Sequence, residues 1–221
     1  ISGERTVIAS GLSGPVGVAL NAAETIAYVA ESNSGELTAV DLLTGGSTTI
    51  ASGLSGPAGV ALDAAGTKAY VTEVLAGRLS SVSLATGSRT TIAAGLGEPE
   101  SVVLSPGGAL AYVPDFGGGQ ILAIDVLTGE TSTVVSGLAG PLGLALNVDA
   151  GQVYVSEYPA GAIARADLVG GAFTRIASGL TTPFGIALGI PASCPPGFLM
   201  VTPSPCPHPQ VSHIKIYDFR R

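Results

Sequence analysis

The chain has 221 residues, of which 46% are hydrophobic and 11% charged, with 32 Gly, 15 Pro and a formal net charge of −7. So apolar a composition with so few charges excludes an intrinsically disordered chain, and 9 Lys and Arg against 16 Asp and Glu exclude a nucleic-acid partner, which requires clustered cations. No apolar run reaches the roughly 18 residues that carry a helix across a bilayer, so no transmembrane segment is expected.

The chain opens at Ile1 rather than Met and shows no signal peptide, as when a targeting segment has been removed or the chain trimmed. Residues 4–10 (ERTVIAS) have strand character but no earlier run to pair with. At Gly11 begins Gly-Leu-Ser-Gly-Pro-Val-Gly-Val-Ala-Leu, and the stretch returns in varied form at Gly53, Gly95, Gly137 and Gly179, 42 residues further on each time. A strict period of this size marks a repeat architecture. Within the first unit four short runs follow one another: 15–20 (PVGVAL), 25–31 (TIAYVAE), 36–42 (ELTAVDL) and 47–52 (STTIAS). They are rich in β-branched residues, alternate in polarity, and are separated by Gly, Asn, Asp and Pro, which reads as strands and turns. Turns of one kind recur at Asp41, Ser83 and Asp125, each followed four residues later by a Gly that can take a positive φ.

Four strands per unit of about 40–45 residues is the pattern of a β-propeller blade. The expectation is an all-β, five-bladed β-propeller with four antiparallel strands per blade, a single domain over 1–221. The blades are 11–52, 53–94, 95–136, 137–178, and 179–221 together with 1–10. The last unit supplies runs 183–188, 198–202 and 213–219 as its first, second and third strands. Residues 4–10 match the fourth run of the other units, and so complete the last blade and close the ring. A fragment of a larger ring, or exchange of these complementary ends between chains, is the competing reading.

The second strand of four units ends in an acid: Glu31, Glu73, Asp115 and Glu157, with Pro203 in the matching place of the fifth. A ring of carboxylates at a channel mouth could hold Ca²⁺ or another divalent cation. Repetition favours a structural role, since a catalytic group is needed once and a turn-fixing acid in every blade. Otherwise no cofactor is expected. Function is sought where the repeat is broken. The residue after the repeated Pro reads Val16, Ala58, Glu100, Leu142 and Phe184, and the residue after the acid includes Phe116 and Tyr158. Glu100, Phe116, Leu142, Tyr158 and Phe184 are therefore the candidate ligand-binding residues of a partly apolar mouth. No nucleophile elbow, Ser/His/Asp set or phosphate loop can be assembled.

Both cysteines and both histidines of the chain fall in the last unit, at Cys194, Cys206, His208 and His213. Two thiols and two imidazoles suit zinc, but the spacing is not that of a finger, and a Cys194–Cys206 disulfide is the favoured reading. With the scarcity of Lys it indicates an extracellular or otherwise extracytoplasmic protein.

The repeated Gly-Leu-x-x-Pro-x-Gly-Val-Ala-Leu, followed by Tyr-Val-Ala-Glu, resembles the NHL and YVTN groups of propeller repeats. These are similar in pattern to gluconolactonase-like and strictosidine-synthase-like propellers, whose members commonly have six or seven blades. The resemblance covers nearly the whole chain and implies the fold. The functional expectation is a non-catalytic recognition or scaffold propeller with a protein or cell-surface partner, self-assembly included. The alternative is a metal-assisted hydrolase or lyase acting through the acidic ring and Glu100.

Overall fold

A computed structural model of the chain describes residues 6–147 and 151–188, and the backbone of 214–218. Among these residues the strands form five sheets. Blade 1 consists of β1 (Pro15–Leu20), β2 (Ile26–Glu31), β3 (Glu36–Asp41) and β4 (Ser47–Ala51). Blade 2 consists of β5 (Pro57–Leu62), β6 (Lys68–Glu73), β7 (Arg78–Ser83) and β8 (Arg89–Ala94). Blade 3 has β9 (Val103–Leu104), β10 (Leu110–Asp115), β11 (Gln120–Asp125) and β12 (Thr131–Ser136). Blade 4 has β13 (Pro141–Asn147), β14 (Gln152–Glu157), β15 (Ala162–Asp167) and β16 (Phe173–Ala177). In each blade the four strands pair antiparallel in chain order. A fifth sheet contains only β17 (Pro183–Leu188) and β18 (Ile214–Asp218).

The architecture is that of a β-propeller, with four complete blades rather than the expected five. The correction lies in the last unit. In the complete blades the register sets Pro15 against Glu31, Pro57 against Glu73 and Pro141 against Glu157. In the fifth sheet Pro183 pairs with Asp218. The run near 213–219 is thus the second strand of its sheet, not the third, and Asp218, not Pro203, holds the acid's place. Residues 198–202, expected as the second strand, lie outside the described residues, as do Cys194, Cys206 and the two histidines.

The N-terminal run is also corrected. Its described part, Thr6 to Ser10, is not a strand. A fourth strand exists only by bonding to a third, and no third strand of the fifth sheet is present among the described residues. The segment nevertheless lies where a fourth strand would. Ala9 and Leu12 pack on Ala27, Val29 and Val40 of blade 1, as Ala51 and Leu54 pack on Ala69, Val71 and Val82 of blade 2. The Ile8 carbonyl crowds the Cβ side of Gly45 as the Ile50 carbonyl crowds that of Gly87.

Apolar faces between neighbouring blades make the core. Leu37, Leu79 and Ile121 on the third strands, and Val71, Val113 and Val155 on the second, are fully buried. The innermost strands contact one another from blade to blade, β1 with β5 and β13 with β17. Val60 is 8% exposed because Ala30 and Leu37 of blade 1 lie in its cluster, whereas Val18 at the same place in blade 1 is 62% exposed. The described part of the fifth sheet does not cover it.

Candidate functional site

The Pro-initiated inner strands bring five segments round one cavity of about 160 Å³, open to solvent. Its walls are Val16–Val18, Ala58–Val60, Glu100–Ser101, Leu142–Gly143 and Phe184–Gly185. The residue after each Pro lines the cavity, and Val18 and Val60 join it in blades 1 and 2, whereas Leu144 and Ile186 at the same place are packed in the core between blades.

The inner strands can approach because the residue between these two is Gly. A side chain on Gly17 would collide with the Ala58 carbonyl of the next blade, and one on Gly59 would lie 2.6 Å from the Cα of Ser101. The Gly59 N–H is fixed by donating to Thr72 Oγ1 at 2.7 Å, and Gly143 does the same to Ser156 Oγ at 2.8 Å.

Blade 3 breaks the pattern three times over. Glu100 replaces an apolar residue, Ser101 replaces Gly, and Pro114 stands where Thr72 and Ser156 supply a hydroxyl. Its inner strand accordingly shrinks to Val103–Leu104, with a lone bridge between Pro99 and Asp115. Among the described residues Glu100 is the one ionisable side chain on the cavity wall, its backbone N–H donating to the Pro114 carbonyl. Burial, and to a lesser degree the negative charge of Glu98, pushes its carboxyl above the usual range.

Of the expected ligand-binding residues, the structure gathers Glu100, Leu142 and Phe184 at this cavity. Phe116 and Tyr158 stand outside its wall. The Phe116 ring leans over Gly140, beside Pro159, and Tyr158 is solvent-exposed. Sequence reading overlooked Val18, Val60 and Ser101. Val18 and Val60 lie two residues beyond the post-proline position and Ser101 stands in the glycine's place, so aligning the repeats carried the signal.

The four acids at the ends of the second strands are buried, each held within its own blade. Glu31 accepts the Ser13 N–H. Glu73 accepts the Ser55 N–H, both arms of the Arg78 guanidinium at 2.8 and 2.7 Å, and the Ser80 hydroxyl at 2.6 Å. Asp115 accepts the Glu98 and Gly118 N–H groups and the Gln120 amide. Glu157 accepts the Ala139 N–H and the Arg175 guanidinium at 2.6 and 2.7 Å. Each acid thereby ties the loop entering its blade to the end of the second strand. The described residues contain no group of three or more His, Cys, Asp or Glu placed to hold one ion.

Burial alone would raise the Glu73, Asp115 and Glu157 carboxyls. The hydrogen bonds, with the Arg78 and Arg175 charges at the two glutamates, outweigh it and hold all three below the ordinary range. Acids depressed in the folded state contribute stability that is present above their unfolded values, about 4, and is lost as the pH falls through the folded ones. Glu100 has the opposite sign, giving up stability as the pH rises through its elevated value. The urea midpoint should therefore fall steeply below about pH 4. Glu100→Gln should raise it at neutral pH while leaving the acid limb unchanged. A midpoint indifferent to pH between about 5 and 2 would show the latches to be energetically silent.

No protein-family model matches the chain, and no curated protein does. Solved structures do. Virginiamycin B lyase from Staphylococcus aureus is 17% identical with a TM-score of 0.66, over 81% of this chain and 61% of that one. A chain of a nidogen–laminin complex is 20% identical with a TM-score of 0.71, over 80% of this chain and 69% of that one. Kuenenia stuttgartiensis hydrazine synthase is 18% identical with a TM-score of 0.70, over 84% and 55%. At these identities the likeness is one of fold, and the lyase and nidogen–laminin matches are β-propellers. The chain spans between about half and two thirds of the length of these neighbours.

Proposed function

We propose that the chain is a non-catalytic recognition propeller, of the NHL/YVTN type of repeat and extracytoplasmic, that engages a protein or cell-surface partner at the central cavity. One observation carries the reading. Each repeated acid accepts a hydrogen bond from the loop entering its own blade, while Glu100-Ser101, a departure from the repeat within the complete blades, faces the cavity. An apolar wall of Val16, Val18, Leu142 and Phe184 with one carboxylate fits an apolar anchor carrying a neighbouring cation. That the nidogen–laminin neighbour is a protein complex is consistent with such use of the fold. The metal-assisted hydrolase or lyase reading would draw on Glu31, Glu73, Asp115 and Glu157, and nothing among the described residues gathers them round one ion.

Panning a displayed peptide library against the protein tests the reading. Enriched peptides should pair an aromatic or aliphatic residue with Lys or Arg. They should lose affinity about 10-fold or more on Phe184→Ala, and lose charge preference on Glu100→Gln. A library yielding no binders, or binders indifferent to both substitutions, overturns it.

A further inference from the structure

The acid latches of the four complete blades differ in what neutralises them, and blade 1 lacks a neutralising group. In blade 2 the register sets Glu73 against Arg78, and the guanidinium closes on the buried carboxylate. In blade 4 the cation comes from the fourth strand, as Arg175, which lies opposite Ala164. In blade 3 the residue set against Asp115 is Gln120, and its amide donates to the acid. Blade 1 sets Glu31 against Glu36, two carboxylates, and Thr49 occupies the place of Arg175. The backbone N–H of Ser13 is the hydrogen-bond donor to Glu31.

A second, independent feature meets these carboxylates. Thr38 occupies the register from which Ser80 donates to Glu73 in blade 2. It is 4% exposed, and its Oγ1 is the one buried side-chain oxygen or nitrogen among the described residues that has no hydrogen-bond partner. Residues directly opposed on neighbouring strands share a face, and so do residues two apart on one strand. Glu31, Glu36 and the unpartnered Thr38 hydroxyl therefore converge on one space, the space that the Arg78 guanidinium fills in blade 2. Two carboxylates set against each other, one of them buried, are disfavoured without a cation between them. A hydroxyl left dry adds to that penalty.

We propose that blade 1 binds a hard divalent cation of the Ca²⁺ type between the carboxylates of Glu31 and Glu36 and the hydroxyl of Thr38. The ligands are all oxygen, as such ions require, and water reaching the half-exposed Glu36 completes the shell. The ion does in this blade what an arginine does in blades 2 and 4, fixing the 12–14 loop to the end of β2. This site is separate from the cavity, uses one blade, and is independent of the recognition reading. With so few protein ligands its affinity belongs with the weak extracellular class, dissociation constants of about 10⁻⁴–10⁻³ M.

Calcium chloride titrated into the chelator-treated protein, followed by calorimetry and thermal unfolding, tests the site. One ion per chain should bind, and the unfolding midpoint should rise with calcium concentration. Glu36→Gln should abolish both effects while leaving the circular dichroism spectrum unchanged. Glu36→Arg recreates the blade 2 pairing. It should abolish calcium binding and raise the calcium-free midpoint towards that of the calcium-loaded wild type. Absence of a calcium-dependent midpoint shift at up to 10-fold above that range, or a shift that survives both substitutions, overturns the proposal.

Discussion

Replacing Arg175 with Met should lower the unfolding free energy by about 3 kcal/mol, and adding Glu157→Gln to it should recover most of the loss. The Glu157 side chain is fully buried, and two of its three hydrogen bonds come from Arg175. Without the guanidinium a buried carboxylate keeps only the Ala139 N–H, and an uncompensated buried charge is among the few single changes that cost several kcal/mol. Arg175 itself is 46% exposed, so water screens the pair and the loss falls at the low end of the range for buried pairs. The stranded carboxyl would escape by taking up a proton, so the deficit should shrink as the pH is lowered towards 5. The double variant removes the charge that Arg175 served, leaving an amide that still accepts the Ala139 N–H. Arg78→Met should cost less, about 1–2 kcal/mol, because Glu73 keeps Ser80, the Ser55 N–H and Arg89 at 3.7 Å. Urea denaturation of the three variants beside the wild type checks the order. Equal losses for Arg175→Met with and without Glu157→Gln would mean that the arginine acts through packing on Phe173, whose ring it covers at 5.6 Å, rather than through charge.

These latches show where the sequence was legible and where it was not. The strands of the first four units could be placed because β-formers alternate between Gly- and Asp-bearing turns, and only their ends shifted, residues 25–31 becoming Ile26–Glu31. That the acids serve each blade separately followed from their recurrence every 42 residues. Their cations were hidden because they obey no period: Arg78 opens a third strand and Arg175 lies in a fourth, yet both reach the same place. Such convergence depends on strand pairing, which a linear pattern does not display.

The last unit misled for a different reason. Taken in chain order, the runs of β-formers put 198–202 in the second place. The signal against it was local. Asp218-Phe219 repeats the Asp115-Phe116 of blade 3, acid and aromatic alike, whereas 198–202 is followed by Pro203. The acid at a strand's end identifies a second strand here more reliably than position in the queue, because it is the acid that bonds the entering loop. With 213–219 in the second place, the expected closure by residues 4–10 finds no third strand among the described residues to bond to.

Gly59→Ala should destabilise the protein by about 3 kcal/mol, the upper end of what overpacking costs. The added methyl would lie 2.6 Å from Ser101 Cα and 2.8 Å from both the Ser101 carbonyl carbon and the Val102 nitrogen. All three are backbone atoms of the neighbouring blade, so no rotamer change relieves the contact and the inner strands must part. Hydrogen exchange should quicken in β5 and in its partner β6 beyond what the global loss explains. Blade 3 has already made this kind of substitution. Ser101 occupies the glycine position, and its strand has drawn back to two residues, with Pro114 supplying no hydroxyl where Thr72 holds the Gly59 N–H. Ser101→Gly alone should therefore change little, while Ser101→Gly with Pro114→Thr should lengthen β9 towards residue 99 and raise stability. Glu100 lines the cavity from the start of this strand, so a double variant that moves the strand should also weaken the peptides selected on the wild type. A Gly59→Ala protein of wild-type stability would refute the close approach of the inner strands. A double variant that gains stability and keeps its peptides would separate the shape of blade 3 from recognition.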